Sequence, residues 1–342
     1  MFKRIFLPIL ILIIFISPIT NSKLNFSLTP RILSMTGSTE YSLDVTYNAV
    51  DSATQTAVQE SITSLLEFPL DNVIAGFGFK LKSPTSNEWS INGNFGISVK
   101  DPNDKMFDSD WHSKLPFFDK TLYSFTESDV TMKLFQADIN YRRRIAHKSK
   151  TSFYAMVGFK YQRIQQDIIN FTGWQRFLDD EQHSYGSQFN FSFDDLAIVY
   201  ELNYYIPYFG LAGDFNLSDK FLINLSAAFS YSYFTDTDDH VLRSKLSTAN
   251  GNGITWLLNG SNRIILNRTK NGKEFFVEIF TDYQKIDIDG AQRQFWYDDE
   301  GYTDPIIDEF IVVVEEGTEI LGVPHKVKSD QFSIGFMFGF SF

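Results

Sequence analysis

Two short acidic segments contain the residue types that could perform chemistry. The first, DSDW, holds Asp108 and Asp110, and the second, DTDDH, holds Asp236, Asp238 and His240. Side chains two positions apart in a β-strand lie on the same face, so Asp238 and His240 can pair. A carboxylate orients an imidazole and raises its pKa, which favours a general base. With no cysteine, and no serine singled out by a pattern, the nucleophile would be water held by the opposing carboxylates.

Each acidic segment also has a simpler interpretation. An Asp-x-Asp pair is more often a solvated acidic stretch than a catalyst, and a lone histidine at a rim is usually only a polar surface residue. The DTDDH segment could bind calcium, but it lacks the glycine and distal glutamate of an EF-hand loop, and we predict no metal site. We find no comparable carboxylate arrangement for the other four histidines, which are His112, His147, His183 and His325.

The N-terminal residues have the features of a secretory signal peptide. Lys3 and Arg4 precede an apolar run over 5–16, and small residues follow at the spacing that a signal peptidase needs. A retained membrane anchor is disfavoured, because the run is shorter than the roughly 18 apolar residues of a spanning helix. We therefore expect a signal peptide over 1–22 and one domain over 23–342.

The composition of the remaining chain restricts the class of protein. No long apolar run follows the signal peptide, so a membrane-embedded chain would have to span with β-strands. The absence of cysteine excludes disulfides, thiolate metal sites and a lipid-modified N-terminal cysteine. Without Lys3 and Arg4 the formal charge is −14, which argues against nucleic acid and favours a basic partner. Aromatic residues make up 16%, as expected where aromatic girdles border a membrane.

The final segment, 332–342, has the clearest strand pattern. Large apolar side chains alternate with small ones and end at Phe342, so the large face is predicted to contact lipid. A terminal aromatic residue also resembles the signal read by the outer-membrane barrel assembly machinery. The segments 33–47, 89–99 and 221–233 repeat this alternation.

Short turns alternate with longer polar segments along the whole chain. This predicts an all-β fold, a ten-stranded antiparallel transmembrane β-barrel with short periplasmic turns and long extracellular loops, in the outer membrane of a Gram-negative-type bacterium. The predicted strands are approximately 25–47, 62–82, 88–108, 130–146, 152–172, 193–216, 220–238, 253–267, 274–291 and 329–342. The predicted extracellular loops lie near 48–60, 103–128, 172–192, 236–252 and 292–328.

The alternation also predicts which side chains face the lumen. In the third and seventh strands the odd-numbered residues carry the large apolar side chains, so the even-numbered residues should point inward. These are Asp108 and Asp110 in the third strand, and Asp236, Asp238 and His240 in the seventh. The same reasoning points Glu40 inward from the first strand. A bulge near Pro102 would reverse the first of these assignments. Several acids and His240 should then line one cleft at the extracellular rim.

Taken in order, these segments resemble the omptin family, the outer-membrane aspartyl-type proteases of Gram-negative bacteria. MFDSDW at 106–111 resembles the segment with the aspartate pair, and DTDDH at 236–240 the segment with the Asp-x-His dyad. AIVYELNYYIPYFGLAG at 197–213 resembles the signature of the sixth strand, and TGSTEY at 36–41 the segment whose glutamate lies in the specificity pocket. The likeness spans nearly the whole mature chain.

The resemblance implies an endopeptidase (a hydrolase) that cleaves peptide bonds at basic residues on the cell surface. Asp238 and His240 would form the dyad, with His240 taking a proton from water. Asp108 and Asp110 would be the opposing pair that positions this water. No cofactor is implied, although omptins need lipopolysaccharide.

The resemblance also implies residues for substrate and lipid. Glu40 and Asp236 would form an acidic pocket for a Lys or Arg side chain beside the scissile bond. Arg163 matches an arginine that holds lipopolysaccharide on the outer face of the barrel. The expected partners are therefore peptides or proteins with basic residues, outer-membrane lipid and lipopolysaccharide.

Two other functions are compatible with the same sequence. An adhesin or receptor could use the extracellular loops for binding without proteolysis. A narrow porin is the weakest alternative, because side chains fill the interior of a ten-stranded barrel.

Overall fold

The computed structural model describes residues 24–51, 53–83, 88–179, 182–269, 273–304 and 309–341, with side chains described for all of these except 302–304 and 309–312. The predicted signal peptide and the terminal Phe342 lie outside the described residues. In the described part of the chain, no helix is both long enough and apolar enough to cross a membrane.

Most of the described residues lie in antiparallel β-strands. A 3-10 turn, Val241–Arg243, connects β9 to β10. The strands are β1 Asn25–Val50, β2 Ala57–Pro69, β3 Asn72–Lys82, β4 Trp89–Ser98, β5 Met106–Leu115, β6 Phe118–Lys148, β7 Thr151–Asp179, β8 Ser184–Asn216, β9 Phe221–His240, β10 Lys245–Arg268, β11 Glu274–Trp296, β12 Glu300–Asp304, β13 Glu309–Val314 and β14 Glu319–Ser341.

The strands form a ring with ten positions. β1 pairs with β14 on one side, and on the other side with β3 along its first half and β2 along its second. In the same way, β4 and β5 share the position next to β6. The additional β14–β1 and β6–β5 pairings complete the ring, which confirms the predicted ten-stranded antiparallel barrel.

Exposed apolar side chains cover the middle of the outer surface. Ile97 and Trp256 are examples, each more than half exposed. A row of tyrosines crosses three neighbouring strands at the extracellular border of this band, with Tyr161 and Tyr205 ring centroids 5.3 Å apart and Tyr205 and Tyr233 5.9 Å apart. An apolar belt bordered by aromatic rings is the expected outer surface of a membrane barrel.

The interior of the extracellular half is apolar, and this corrects the predicted orientation of β1. Met35 and Tyr41 are 2% and 1% exposed and belong to the hydrophobic core. Glu40 therefore lies on the outer face, where it stands opposite Glu67 and Lys328. The prediction that Glu40 points inward was wrong, because it assumed that the polar side of every strand faces the lumen.

The segments predicted as long extracellular loops consist largely of β-structure. Residues 103–128 contain β5 and the beginning of β6, and 172–192 contain the ends of β7 and β8. Within 292–328, β12 and β13 form a separate hairpin. Strand pairing provides hydrogen-bond partners for the backbone N–H and C=O groups regardless of the side chains. Segments of polar residues can therefore continue the strands above the lipid. The candidate site residues consequently lie on paired strands rather than on loops.

Candidate active site

The four predicted catalytic residues lie on opposite walls of the extracellular mouth. Asp108 and Asp110 belong to β5, and Asp238 and His240 belong to β9. Going around the ring, β6, β7 and β8 separate these strands on one side, and β10, β11, β14, β1 and β2 on the other. Asp238 is buried and the other three are partly buried. All four point inward and lie above the tyrosine row, outside the membrane-spanning part of the strands.

Asp238 and His240 form a hydrogen-bonded pair. His240 Nε2 lies 2.9 Å from Asp238 Oδ2, as their spacing of two residues predicts. Burial by itself would raise the pKa of Asp238, but His240 and Lys245 hold it below its ordinary value. Burial lowers the pKa of His240, and the opposing effect of Asp238 does not overcome it. The pKa of this imidazole is therefore lowered, whereas the sequence suggested that the carboxylate would raise it.

Asp108 and Asp110 face this pair closely enough to interact with it. Burial raises the pKa of Asp108, and the charges of Asp110 and Asp238 raise it further. Burial also raises the pKa of Asp110, against the effect of a Ser64 hydrogen bond and of neighbouring cations. Asp108 Oδ1 and Asp238 Oδ1 are buried without a hydrogen-bond donor among the described residues. Within the same residues, no group of three or more His, Asp or Glu side chains could hold a metal ion.

Tyr41 is a residue of this site that the sequence did not indicate. Its hydroxyl accepts a hydrogen bond from the Gln292 amide and interacts with Asp238. The alternation assigned Tyr41 to the lipid face because it is large and aromatic. Its position next to Glu40 supported the same assignment, since only one of two adjacent strand residues can face inward and Glu40 was predicted to do so.

Asp236 lies two residues below Asp238 and also points inward. Its Oδ2 lies 2.7 Å from His325 Nε2 and 3.2 Å from the Tyr200 hydroxyl, and its Oδ1 accepts a hydrogen bond of 3.0 Å from the Ala249 amide. The sequence showed no carboxylate arrangement for His325, and the structure places Asp236 beside it. The pair is 89 residues apart in sequence, so no local spacing could have indicated it.

His183 gives a second example of a histidine with a distant carboxylate partner. Its Nε2 lies 3.1 Å from Asp51 Oδ2, across 132 residues of sequence. Asp51 also pairs with Lys114 at 2.8 Å. This cluster connects extracellular hairpins of the barrel and contains none of the predicted catalytic residues.

Two cations border the cleft on the side of β10. Lys245 stands directly opposite His240 in the β9–β10 register and is 7% exposed. Burial, and then the neighbouring Arg243, lower the pKa of Lys245 to about 8. Arg243 Nε is 2.6 Å from Glu300 Oε1. Neither cation was predicted as part of the site, because both follow the DTDDH motif in a segment expected to be a loop.

Arg163 lies on the outer surface close to the tyrosine row. Its guanidinium is 2.7 Å from the Glu201 carboxylate, in an ion pair that is partly exposed on both sides. Lipopolysaccharide binding by Arg163 stays a prediction.

Comparisons with known proteins agree with this architecture. The omptin family model matches residues 53–278. The outer membrane protease OmpT from Escherichia coli superposes with a TM-score of 0.64 at 13% identity, covering 93% of this chain and 97% of that chain. The outer membrane protein OprG from Pseudomonas aeruginosa reaches a TM-score of only 0.29 at 11% identity, with 94% and 97% covered. No curated protein sequence matches. The chain therefore belongs to the omptin family, proteases of the Gram-negative outer membrane whose active face is extracellular.

Proposed function

We propose that the protein is an endopeptidase in which Asp238 and His240 activate a water molecule. The observation that carries this proposal is the 2.9 Å pair of Asp238 and His240 on the wall opposite Asp108 and Asp110. A carboxylate accepts hydrogen bonds, so His240 Nε2 carries the hydrogen that it shares with Asp238. His240 Nδ1 is then the atom that takes a proton from water, and it later returns the proton to the leaving amine.

We propose that the opposing carboxyl groups, Asp108 and Asp110, act on the attacking water and on the carbonyl group of the substrate. Burial raises the pKa values of Asp108 and Asp110, and the charge of Asp110 raises that of Asp108 further, which favours retention of one proton within the pair. The protonated member can donate a hydrogen bond to the oxygen of the scissile carbonyl. The ionised member can accept one from the attacking water. The water oxygen then bonds to the carbonyl carbon as its proton passes to His240.

We further propose that the substrates are peptides or proteins with Lys or Arg. The chain is strongly acidic and carries a formal charge of −12, and acids concentrate at the mouth. Such a surface attracts cationic chains before any close contact forms. Lipopolysaccharide at the outer surface near Arg163 is proposed as a requirement for activity, since this guanidinium is exposed above the apolar band.

Cleavage of a fluorogenic peptide with an Arg–Arg bond tests the proposal, using protein refolded with lipopolysaccharide. His240→Ala and Asp108→Ala should each reduce kcat by at least about 10³-fold, because each removes a group acting on the water. His147→Ala is the matched control, since His147 contacts Ser152 at the other end of the barrel. The mobility of unheated samples on gels verifies that each barrel folds.

The same assay separates proteolysis from the alternative of a binding protein. If folded wild-type protein leaves all basic peptides intact in the presence of lipopolysaccharide, the proposal is wrong. Binding of a surface ligand that survives His240→Ala would then indicate an adhesin or receptor.

A further inference from the structure

We infer that His325 binds the Asp236 carboxylate at the position that a cationic substrate side chain would otherwise take. Asp236 then gives the protein no preference for a cationic side chain next to the scissile bond. This inference rests on the proposed proteolytic function and concerns the specificity of that same site. It differs from the pocket for Lys or Arg that was expected from Glu40 and Asp236.

The carboxylate of Asp236 already has three donors from the protein. His325 Nε2 and the Tyr200 hydroxyl approach Oδ2 at 2.7 and 3.2 Å, and the Ala249 amide approaches Oδ1 at 3.0 Å. The side chains of both Asp236 and His325 are almost completely inaccessible to solvent. A substrate guanidinium could reach this carboxylate only by displacing the imidazole, because the Asp236 side chain is 1% exposed and most of its acceptor positions are already taken.

His325 reaches Asp236 across the inside of the barrel. It belongs to β14, whereas Asp236 belongs to β9, and both β10 and β11 lie between these strands. The Tyr41 ring packs edge-on against the imidazole at 4.5 Å, and the Phe234 ring lies 5.5 Å from it. Displacing His325 would therefore require these two rings to repack. The imidazole closes the floor of the cleft below Asp238.

The rings around the Asp236–His325 pair pack closely, and Tyr41, Tyr200 and Phe68 are at most 1% exposed. Tyr200 stacks on Phe68 with centroids 4.4 Å apart and on Tyr41 at 5.9 Å. Glu40, the other acid expected here, lies on the outer face of the barrel. Basic residues of the substrate would instead be attracted by acids at the rim, such as the partly exposed Asp239.

Matched peptides test the inference directly. The residue before the scissile bond is arginine in one peptide and citrulline, its uncharged isostere, in the other, with basic residues kept elsewhere. We expect wild-type protein to cleave the two with kcat/KM values within about threefold. A preference for arginine above tenfold in the wild type would overturn the inference.

Variants of His325 provide a second test of the inference. His325→Ala should expose Asp236 and create at least a tenfold preference for arginine. His325→Gln, whose amide can still donate to Asp236, should keep the wild-type ratio. Adding Asp236→Asn to His325→Ala should remove the new preference. A folded His325→Ala protein with an unchanged ratio would contradict the inference.

Binding of benzamidine, measured by calorimetry, gives a readout that does not need activity. We expect binding to His325→Ala but not to the wild type or to the double variant. If no variant cleaves any peptide, the proposed function fails, and benzamidine still decides the specificity inference. If His325→Ala does not fold, the wild-type ratio and the absence of benzamidine binding to the wild type decide it.

Discussion

Burial and their mutual contact have the largest effects on the pKa values of Asp238 and His240, and residues on other strands add to these effects. Lys245 on β10 and Tyr41 on β1 both act on Asp238, and Lys245 also acts on His240. A cation beside an imidazole disfavours its protonated form. The surroundings therefore keep His240 available as a base to lower pH than an isolated histidine.

Lys245→Met should move the acid limb of the pH dependence of kcat/KM to higher pH. The pKa of His240 is lowered by burial and additionally by Lys245, so removing this cation raises the pKa and reduces the neutral fraction at a given pH. Lys245 also lowers the pKa of Asp108, so this group shifts in the same direction. Lys326→Met is the control, since Lys326 pairs with Asp287 on the outer face at 2.9 Å. An unchanged or opposite shift would contradict the assignment.

Tyr41→Phe should lower kcat/KM by about tenfold while the barrel still folds. The substitution removes only the hydroxyl that joins Gln292 to Asp238, and the loss of one hydrogen bond to a charged group costs about 1.5–3 kcal/mol. Peptide cleavage across the pH range is the measurement. Wild-type kinetics in the variant would show that Tyr41 contributes packing alone.

At the scale of elements, β1 changes its pairing partner around Gly37. The strand pairs with β3 up to Met35 and with β2 from Ser38 onward. Gly37 has φ +128°, and a Cβ there would overlap the carbonyl oxygen of Asp330. This conformation and this close approach both require glycine. The exchange allows β1 to hold Tyr41 inside the cleft while remaining part of the wall.

Gly37→Ala should destabilise the barrel by about 1–3 kcal/mol or more, from backbone strain together with the overlap. The expected result is a lower urea midpoint, followed by tryptophan fluorescence in lipid vesicles. Gly317→Ala is the matched control, because Gly317 has φ +80° but no atom within 4 Å of an added Cβ. It should cost only about 1–2 kcal/mol of left-handed strain. Equal effects of the two substitutions would argue against a special role of the β1 exchange.

At the scale of the whole molecule, the acidic charge should act on association rather than on the chemical step. Raising the ionic strength from about 0.01 to 0.3 M shortens the screening length from roughly 30 Å to below 10 Å. We therefore expect KM for a peptide with several Lys or Arg residues to increase several-fold, with kcat little changed. A peptide of equal length without net charge serves as the control. A parallel response of both peptides would exclude long-range attraction.

The sequence by itself determined the barrel and the positions of the four candidate catalytic residues, Asp108, Asp110, Asp238 and His240. A strand between lipid and lumen must alternate large and small side chains, so residues such as those of 332–341 reveal both the strand and its outward face. The same period of two placed Asp238 next to His240. These features follow from local geometry, which the order of residues encodes directly.

Only the tertiary structure decided what surrounds these residues. The inward Tyr41, the outward Glu40 and the His325–Asp236 pair all depend on the barrel enclosing a hydrophobic core in its extracellular half. Whether a tyrosine faces lipid or core cannot be read from its polarity, since both environments are apolar. Contacts across the lumen join strands far apart in sequence, so their chemistry exists only once the ring is closed.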